Sequence, residues 1–177
     1  MSLASVRAVP IPETELMTEF GAFVLRYHAT WHHLGKKRYV SLTIGDLQKD
    51  MLLVRLQSAC LFAAFRSLEC DCGTQLQHAL SRISNEKRGV LIYGIDDEGR
   101  GAGIEAKMAG MYVEHELGCS TNEAYKELGL ERDYRTFTHE ANVLKQLKVA
   151  TRIRLIGSER KCKALEDAGF VVERVDG

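Results

Sequence analysis

Cys60, Cys70 and Cys72 fall within thirteen positions of the chain, and three soft thiolates that close together can hold a zinc ion. No fourth Cys or His neighbours them, so the ion would keep an open coordination position. A structural zinc is normally closed by four protein ligands. An open position holds water, and zinc lowers that water's pKa to about 7, which supplies hydroxide at neutral pH. In an extended segment Cys70 and Cys72 point to the same side, so Cys70-Asp71-Cys72-Gly73 presents both sulfurs to one ion. The competing reading is three buried reduced thiols, since free cysteine is among the most buried residue types. Spacing alone leaves both open, because C-x-C is less diagnostic than paired C-x-x-C. A second candidate is the run Asp96-Asp97-Glu98-Gly99-Arg100-Gly101-Ala102-Gly103. Its glycines let backbone N–H groups and a helix N-terminus approach an anion, and Arg100 adds a fork of donors for phosphate. It lacks the GK[ST] ending of a Walker loop, and a plain tight turn from strand to helix reads from the same residues.

These residues need elements to position them. Gly21 to His28 and Tyr39 to Ile44 alternate apolar and polar residues, and Leu52 to Leu56 is another β-rich run, with turns expected at Gly35-Lys36-Lys37 and Gly45-Asp46. Helical spacing appears over Thr74 to Ile83, Gly101 to Leu117 and Thr138 to Leu147. Gly118 ends the second of these helices. Ser120 and Thr121 followed by Glu123 cap a further helix that ends at Gly129. Gly89 to Ile95 is a continuous apolar run, the mark of a buried strand. Arg152 to Ile156, Glu159 to Ala168 and Phe170 to Arg174 read as strand, helix, strand. The expectation is an α/β sandwich with a mixed sheet: an antiparallel β-rich N-terminal third, then alternating strands and helices. It shows no internal repeat or linker.

The chain has 177 residues, which suits a single domain over 1–177 with an arm up to about Thr14. A chain this long buries roughly 70% of its unfolded surface and needs no metal merely to fold. Twenty-four basic side chains balance 24 acidic ones. That neutrality removes the broad basic surface of a nucleic-acid coat or a membrane-surface protein. No run approaches the roughly 20 apolar residues of a membrane span, and Met1 to Glu13 lacks the apolar core of a signal peptide. Five cysteines, an odd number at uneven spacing, then read as reduced thiols of a cytoplasmic protein. Cys119 and Cys162, remote from the trio in sequence, read as structural.

Taken in order, Arg55-Leu56-Gln57-Ser58-Ala59-Cys60, Ser67-Leu68-Glu69-Cys70-Asp71-Cys72-Gly73-Thr74-Gln75-Leu76 and Glu98-Gly99-Arg100-Gly101 resemble the GTP cyclohydrolase II family. Thr121-Asn122-Glu123-Ala124, Leu128-Gly129, Asp133-Tyr134-Arg135 and Arg154-Leu155 with Lys161 continue the match, which runs from about Gly21 to Arg174. The resemblance implies hydrolytic opening of the imidazole ring of GTP, with release of formate and pyrophosphate in riboflavin synthesis. It further implies zinc on Cys60, Cys70 and Cys72 for attack on the carbon between the imidazole nitrogens, magnesium with the phosphates, and a homodimer. Arg135 matches the family's proposed nucleophile toward the α-phosphate, and Asp133 its proposed general base. Tyr112 matches the active-site tyrosine after a one-residue insertion. Arg55, Ser58, Gln75, Glu98, Gly99, Arg100, Thr121 and Lys161 fall at nucleotide-contact positions. On chemical grounds Arg135, protonated in almost any site, suits stabilisation of phosphoryl charge better than attack, with Asp133 orienting it.

The chain also departs from the family near the ligand. Gln57-Ser58-Ala59-Cys60 stands for His-Ser-Glu-Cys, and Phe62-Ala63-Ala64 for Thr-Gly-Asp with one residue deleted. Asp96-Asp97 stands for Arg-Gln, and Gly157-Ser158-Glu159-Arg160 for a shortened Thr-Asn-Asn-Pro. Two carboxylates are lost, and Asp96 and Asp97 are expected to place negative charge beside the phosphate pocket. Three readings follow. The first is zinc-dependent opening of a purine nucleotide's imidazole ring, with the substrate altered from GTP. The others are a related hydrolase for another purine or pyrimidine nucleotide, and a catalytically silent zinc-containing nucleotide binder.

Overall fold

Alternation of apolar and polar side chains over the first third builds an antiparallel ribbon, as expected. The computed structural model describes residues 13–32 and 35–176. A seven-stranded sheet contains β1 (Thr14–Thr18), β2 (Gly21–His32), β3 (Gly35–Ile44), β4 (Leu52–Ser58), β5 (Gly89–Gly94), β6 (Arg152–Ile156) and β7 (Val171–Val175) in the order β1-β2-β3-β5-β4-β6-β7. Strands β1, β2, β3 and β5 pair antiparallel. Strands β5, β4, β6 and β7 run parallel. Six helices complete the described residues: α1 (Leu61–Ala64), α2 (Cys72–Asn85), α3 (Ile104–Leu117), α4 (Thr121–Glu127), α5 (Thr138–Gln146) and α6 (Glu159–Asp167). None is long and apolar enough to cross a membrane.

Three local expectations change. Gly35, Lys36 and Lys37 form no turn: they pair within β3 against His32, Trp31 and Thr30. Of the expected arm, residues 1–12 lie outside the described residues, and Thr14 already opens β1. The helix expected from Gly101 starts at Ile104, because Glu98–Gly101 forms a separate 3-10 turn.

Alternate residues of β4 serve the two faces of the sheet. Leu52, Val54 and Leu56 pack with Ala141, Val143 and Leu144 of α5 and Leu165 of α6. Leu53 packs with Ala79, Leu80 and Ile83 of α2. Each buried Leu, Val or Ile among them contributes about 1.5–3 kcal/mol, so both helical layers are anchored without help from Cys60, Cys70 or Cys72. The connection leaving β4 runs toward β5, whereas that leaving β6 runs toward β7. Neighbouring parallel strands with opposite exits leave a crevice at their carboxyl ends, the usual ligand position in such sheets. Ser58, Gly94 and Ile156 end β4, β5 and β6 at that crevice.

Candidate active site

The crevice is a cleft of about 390 Å³, within the range of small-molecule sites. Cys60 follows β4 and is 6% exposed. Its Sγ lies 3.6 Å from that of Cys70, and the three sulfurs of Cys60, Cys70 and Cys72 all lie within 4.8 Å of one another. Sulfurs about 2.3 Å from a tetrahedral zinc sit roughly 3.8 Å apart, so the trio fits one ion. Cys72 reaches it from the first residue of α2, not from an extended segment: a turn at Asp71 brings the sulfurs together. Burial and the two neighbouring sulfurs push the Cys72 thiol up to about 12. A cation among the sulfurs removes that cost. Cys119 and Cys162 are free thiols outside this cluster.

The glycine-rich turn is a tight connection whose Glu98, Gly99 and Arg100 line the cleft. Gly99 and Arg100 both adopt left-handed backbone angles. Gly99 is buried there with φ +57°, and a Cβ would press within 3.2 Å of the Lys107 Cβ. The amides of Gly101, Ala102 and Gly103 donate to the carbonyls of Asp97, Gly99 and Glu98, so they are spent inside the turn and do not cradle an anion. The Glu98 carboxylate clamps the neighbourhood. It accepts from the Leu61 amide at 2.6 Å and from Lys107 Nζ at 2.8 Å. Arg100 Nη1 donates to Asn122 Oδ1 at 2.7 Å, and its guanidinium lies over the ring of Tyr125, whose hydroxyl donates to the Gly99 carbonyl.

The remaining expected residues divide between the cleft and its rim. Arg55, Ser58, Gln75, Glu98, Gly99, Arg100, Thr121, Arg135 and Lys161 line the cleft with the three cysteines. Arg55 is buried and largely engaged, donating to Gln57 Oε1 at 2.8 Å and Gln75 Oε1 at 2.6 Å. Arg135 donates through Nη1 to Ser58 Oγ at 2.8 Å. Its Nε and Nη2 grip both oxygens of Asp133 at 2.9 and 2.7 Å. Asp133 lies behind Arg135, outside the cleft lining, and also accepts from Arg160 Nη1 at 2.5 Å. Against the upward push of burial, the donors of Arg135 hold this carboxyl below its usual range. Tyr112 is not brought to the cleft: it is 66% exposed, and Lys107, Met111 and Glu114 of α3 line the cleft instead. A continuous helix places residues three and four apart on one face, so position 111 looks inward and 112 outward.

Asp96 does not load the cleft with free negative charge, whereas Asp97 stays among its lining residues. Arg38 grips Asp96 through its backbone amide at 2.7 Å and its guanidinium at 2.5 Å, and Asp96 is absent from the cleft lining. Asp97, 3% exposed, accepts from Lys37 Nζ at 3.2 Å. Its Oδ2 fills the space a Cβ at Gly94 would need. Behind Arg135, Asp97 and the buried Glu140 share a second cavity with Tyr39 and Phe137. Burial and the charge of Asp97 push the Glu140 carboxyl up to about 8. Folded protein therefore holds this proton between the ordinary value of 4.5 and about 8. The stabilising contribution is complete below about 4.5 and lost as pH rises through 8. Glu140→Gln, neutral at every pH, is expected to gain at least about 4 °C in unfolding midpoint over wild type between pH 5 and pH 8.5. A difference that does not change with pH contradicts this.

Phe137 lines this second cavity, which shares Asp97 and Arg135 with the cleft. Buried, with φ +62°, it presents its ring to the cationic groups of Arg135, Arg160 and Lys161 at 5.4, 5.6 and 5.4 Å. Burial, with Arg55 and Arg135 nearby, pushes Lys161 down to about 7, and its Nζ donates to the Leu56 carbonyl at 2.7 Å. Lys107, Tyr125, Arg160 and Phe137 are the residues sequence reasoning missed. Their signal was faint: Lys107 shares a helix face with Met111 and Glu114, but that helix carries apolar residues all round.

A model of the GTP cyclohydrolase II family matches residues 9–176. The riboflavin biosynthesis protein RibBA of Aquifex aeolicus is 40% identical over 168 residues, spanning 93% of this chain and 41% of that protein. GTP cyclohydrolase-2 of Tolumonas auensis is 40% identical over 171 residues, spanning 93% of this chain and 83% of that protein. That of Azotobacter vinelandii is 38% identical over 178 residues, spanning 99% and 81%. The chain thus spans less than half of RibBA and about four-fifths of these GTP cyclohydrolase-2 proteins. A solved two-domain 3,4-dihydroxy-2-butanone 4-phosphate synthase, RibBX from A. baumannii, superposes with a TM-score of 0.50 at 17% identity over 94% of this chain and 39% of that one. That likeness concerns the fold alone.

Proposed function

The chain belongs to the GTP cyclohydrolase II family of hydrolases, and from that premise we propose that it opens the imidazole ring of GTP, releasing formate and pyrophosphate for riboflavin synthesis. One observation carries the reading: three thiols within 4.8 Å of one another, in a cleft that Arg135, Arg100 and Lys161 also line. A zinc ion there would be held by Cys60, Cys70 and Cys72 and would supply a bound water of pKa about 7 for attack on the ring carbon. Arg135, aimed by Asp133 and Ser58, stabilises the charge that develops on the α-phosphate. Asp133 acts as a fixed anion and not as a base, since its oxygens already accept four donors: the Arg135 amide, Nε and Nη2, and Arg160 Nη1. Arg55, Gln75, Arg100, Thr121 and Lys161 hold the nucleotide, whose phosphates bring magnesium with them. We further propose that the chain works as one domain and as a homodimer in the cytoplasm.

The family's own nucleotide is the simplest choice, with Asp96 paired to Arg38 outside the cleft and Asp97, in its lining, paired to Lys37. GTP is therefore the first substrate to test. Formate release from GTP, GDP, GMP and ATP, each compared with Cys70→Ser, checks the reading. GTP as the best source of formate supports it; binding of several nucleotides with formate from none overturns it.

Lys161 gives a second check. With its value near 7, it is mostly neutral at pH 8, and an arriving phosphate draws a proton onto it. Calorimetry on metal-free protein, so that GTP binds without turnover, at pH 8 in buffers of different ionisation enthalpy is expected to show uptake of close to one proton per GTP. Lys161→Met abolishes that uptake and weakens binding about 10- to 100-fold. Equal proton uptake in the variant contradicts the assignment.

A further inference from the structure

Lys107 is half-buried beside the cysteine trio, and the function proposed above gives it no role. It projects from the first half of α3, its side chain 19% exposed. Nζ donates to Cys60 Sγ at 2.9 Å and to Glu98 Oε1 at 2.8 Å. The phenyl ring of Phe62 lies 4.5 Å from the ammonium, at a position where the family pattern quoted above has no aromatic residue. Glu98 is itself fixed by the Leu61 amide, one residue beyond Cys60. The ammonium is therefore held on three sides, by a carboxylate, a sulfur and an aromatic face, and it links the cysteine loop to the glycine-rich turn and α3.

We propose that Lys107 is a positioning residue for the metal: it fixes Cys60 and draws charge from its sulfur. The inference rests on the zinc reading above. Three thiolates around a dication leave one net negative charge, and the ammonium on the Cys60 sulfur offsets it locally while sharing its own charge with Glu98. A sulfur that accepts a charge-assisted hydrogen bond donates less electron density to the ion, so the ion stays the stronger acid toward water. Glu98 prevents the ammonium from swinging away, and Phe62 excludes water from its open side. The lost carboxylates at positions 59 and 64 fit the same balance, since each would compete for Lys107 or add negative charge beside the thiolates.

The test uses metals alone and does not depend on turnover. Zinc affinity is measured by competition with a chromophoric chelator, and the sulfur-to-cobalt charge-transfer band is recorded after cobalt substitution. Loss of a partner beyond the ligand shell typically costs 10- to 100-fold in metal affinity. Lys107→Met is expected to weaken zinc by about that factor and to move the cobalt band to longer wavelength, because the sulfur lone pair is no longer stabilised. Lys107→Arg, which keeps charge and donors, restores both readouts to near wild type. Lys107→Gln, a neutral donor, falls between, and the Arg and Gln variants decide the matter should Lys107→Met not fold. Unchanged affinity and band position in Lys107→Met, with normal metal binding by wild type, overturn the role of Lys107 and leave the zinc reading intact. Failure of wild type to bind either metal overturns both.

Discussion

Cys70→Ser is expected to lose its zinc and at least about 1,000-fold of formate release, while unfolding within a few degrees of the metal-free wild type. The catalytic half follows from the chemistry of the site. Two remaining thiolates are too few for a closed or a three-ligand zinc site, and without the ion water returns from a pKa of about 7 to 15.7. The structural half follows from the packing. Helix α2 is seated by Ala79, Leu80 and Ile83 against Leu53 and Leu91, about two to three turns beyond Cys72, so the helix keeps its place when the sulfur cluster is empty. Metal content by elemental analysis, formate yield and thermal unfolding of the same preparation check the three parts together. A variant that loses zinc and also unfolds at room temperature would show the ion to be structural.

Arg135→Lys carries the second-largest effect. The guanidinium makes a two-pronged contact with Asp133 and a third bond to Ser58, a planar fork that an ammonium cannot reproduce. Pyrophosphate release is expected to fall about 100- to 1,000-fold, the range for losing one preorganised group that stabilises developing charge, with zinc content unchanged. Asp133→Asn separates the two roles available to that carboxylate. If it only aims Arg135, activity falls at every pH and the shape of the pH–rate profile is retained. If it takes a proton during turnover, the limb of the profile set by its ionisation disappears. The geometry predicts the former, because Arg135 and Arg160 hold Asp133 ionised well below neutrality.

Much of this was legible in the residues themselves. Alternating and continuous apolar runs located the main strands, because period-2 patterns register directly on a half-buried sheet. The cysteines, the glycine-rich turn and Asp133-Tyr134-Arg135 marked the cleft. What escaped depended on register between distant segments. Asp96 and Asp97 look like unpaired acids until β3 lies antiparallel to β5, with Tyr39 opposite Gly94, which brings Lys37 and Arg38 to them. Tyr112 and Met111 differ by one position on a helix whose apolar residues surround its axis, so no stripe says which faces in. A turn reads at Gly35–Lys37 because glycine is an ordinary turn residue, and only pairing with Thr30 to His32 reveals a strand.

The central claim is that one zinc on Cys60, Cys70 and Cys72 makes this cleft open the ring of GTP. Its most direct test counts formate and pyrophosphate from GTP in the same reaction, with protein of known zinc content. Equal amounts of both products, rising in proportion to zinc up to one ion per chain, are the predicted result. A protein that carries one zinc, binds GTP and returns it unchanged would contradict the account.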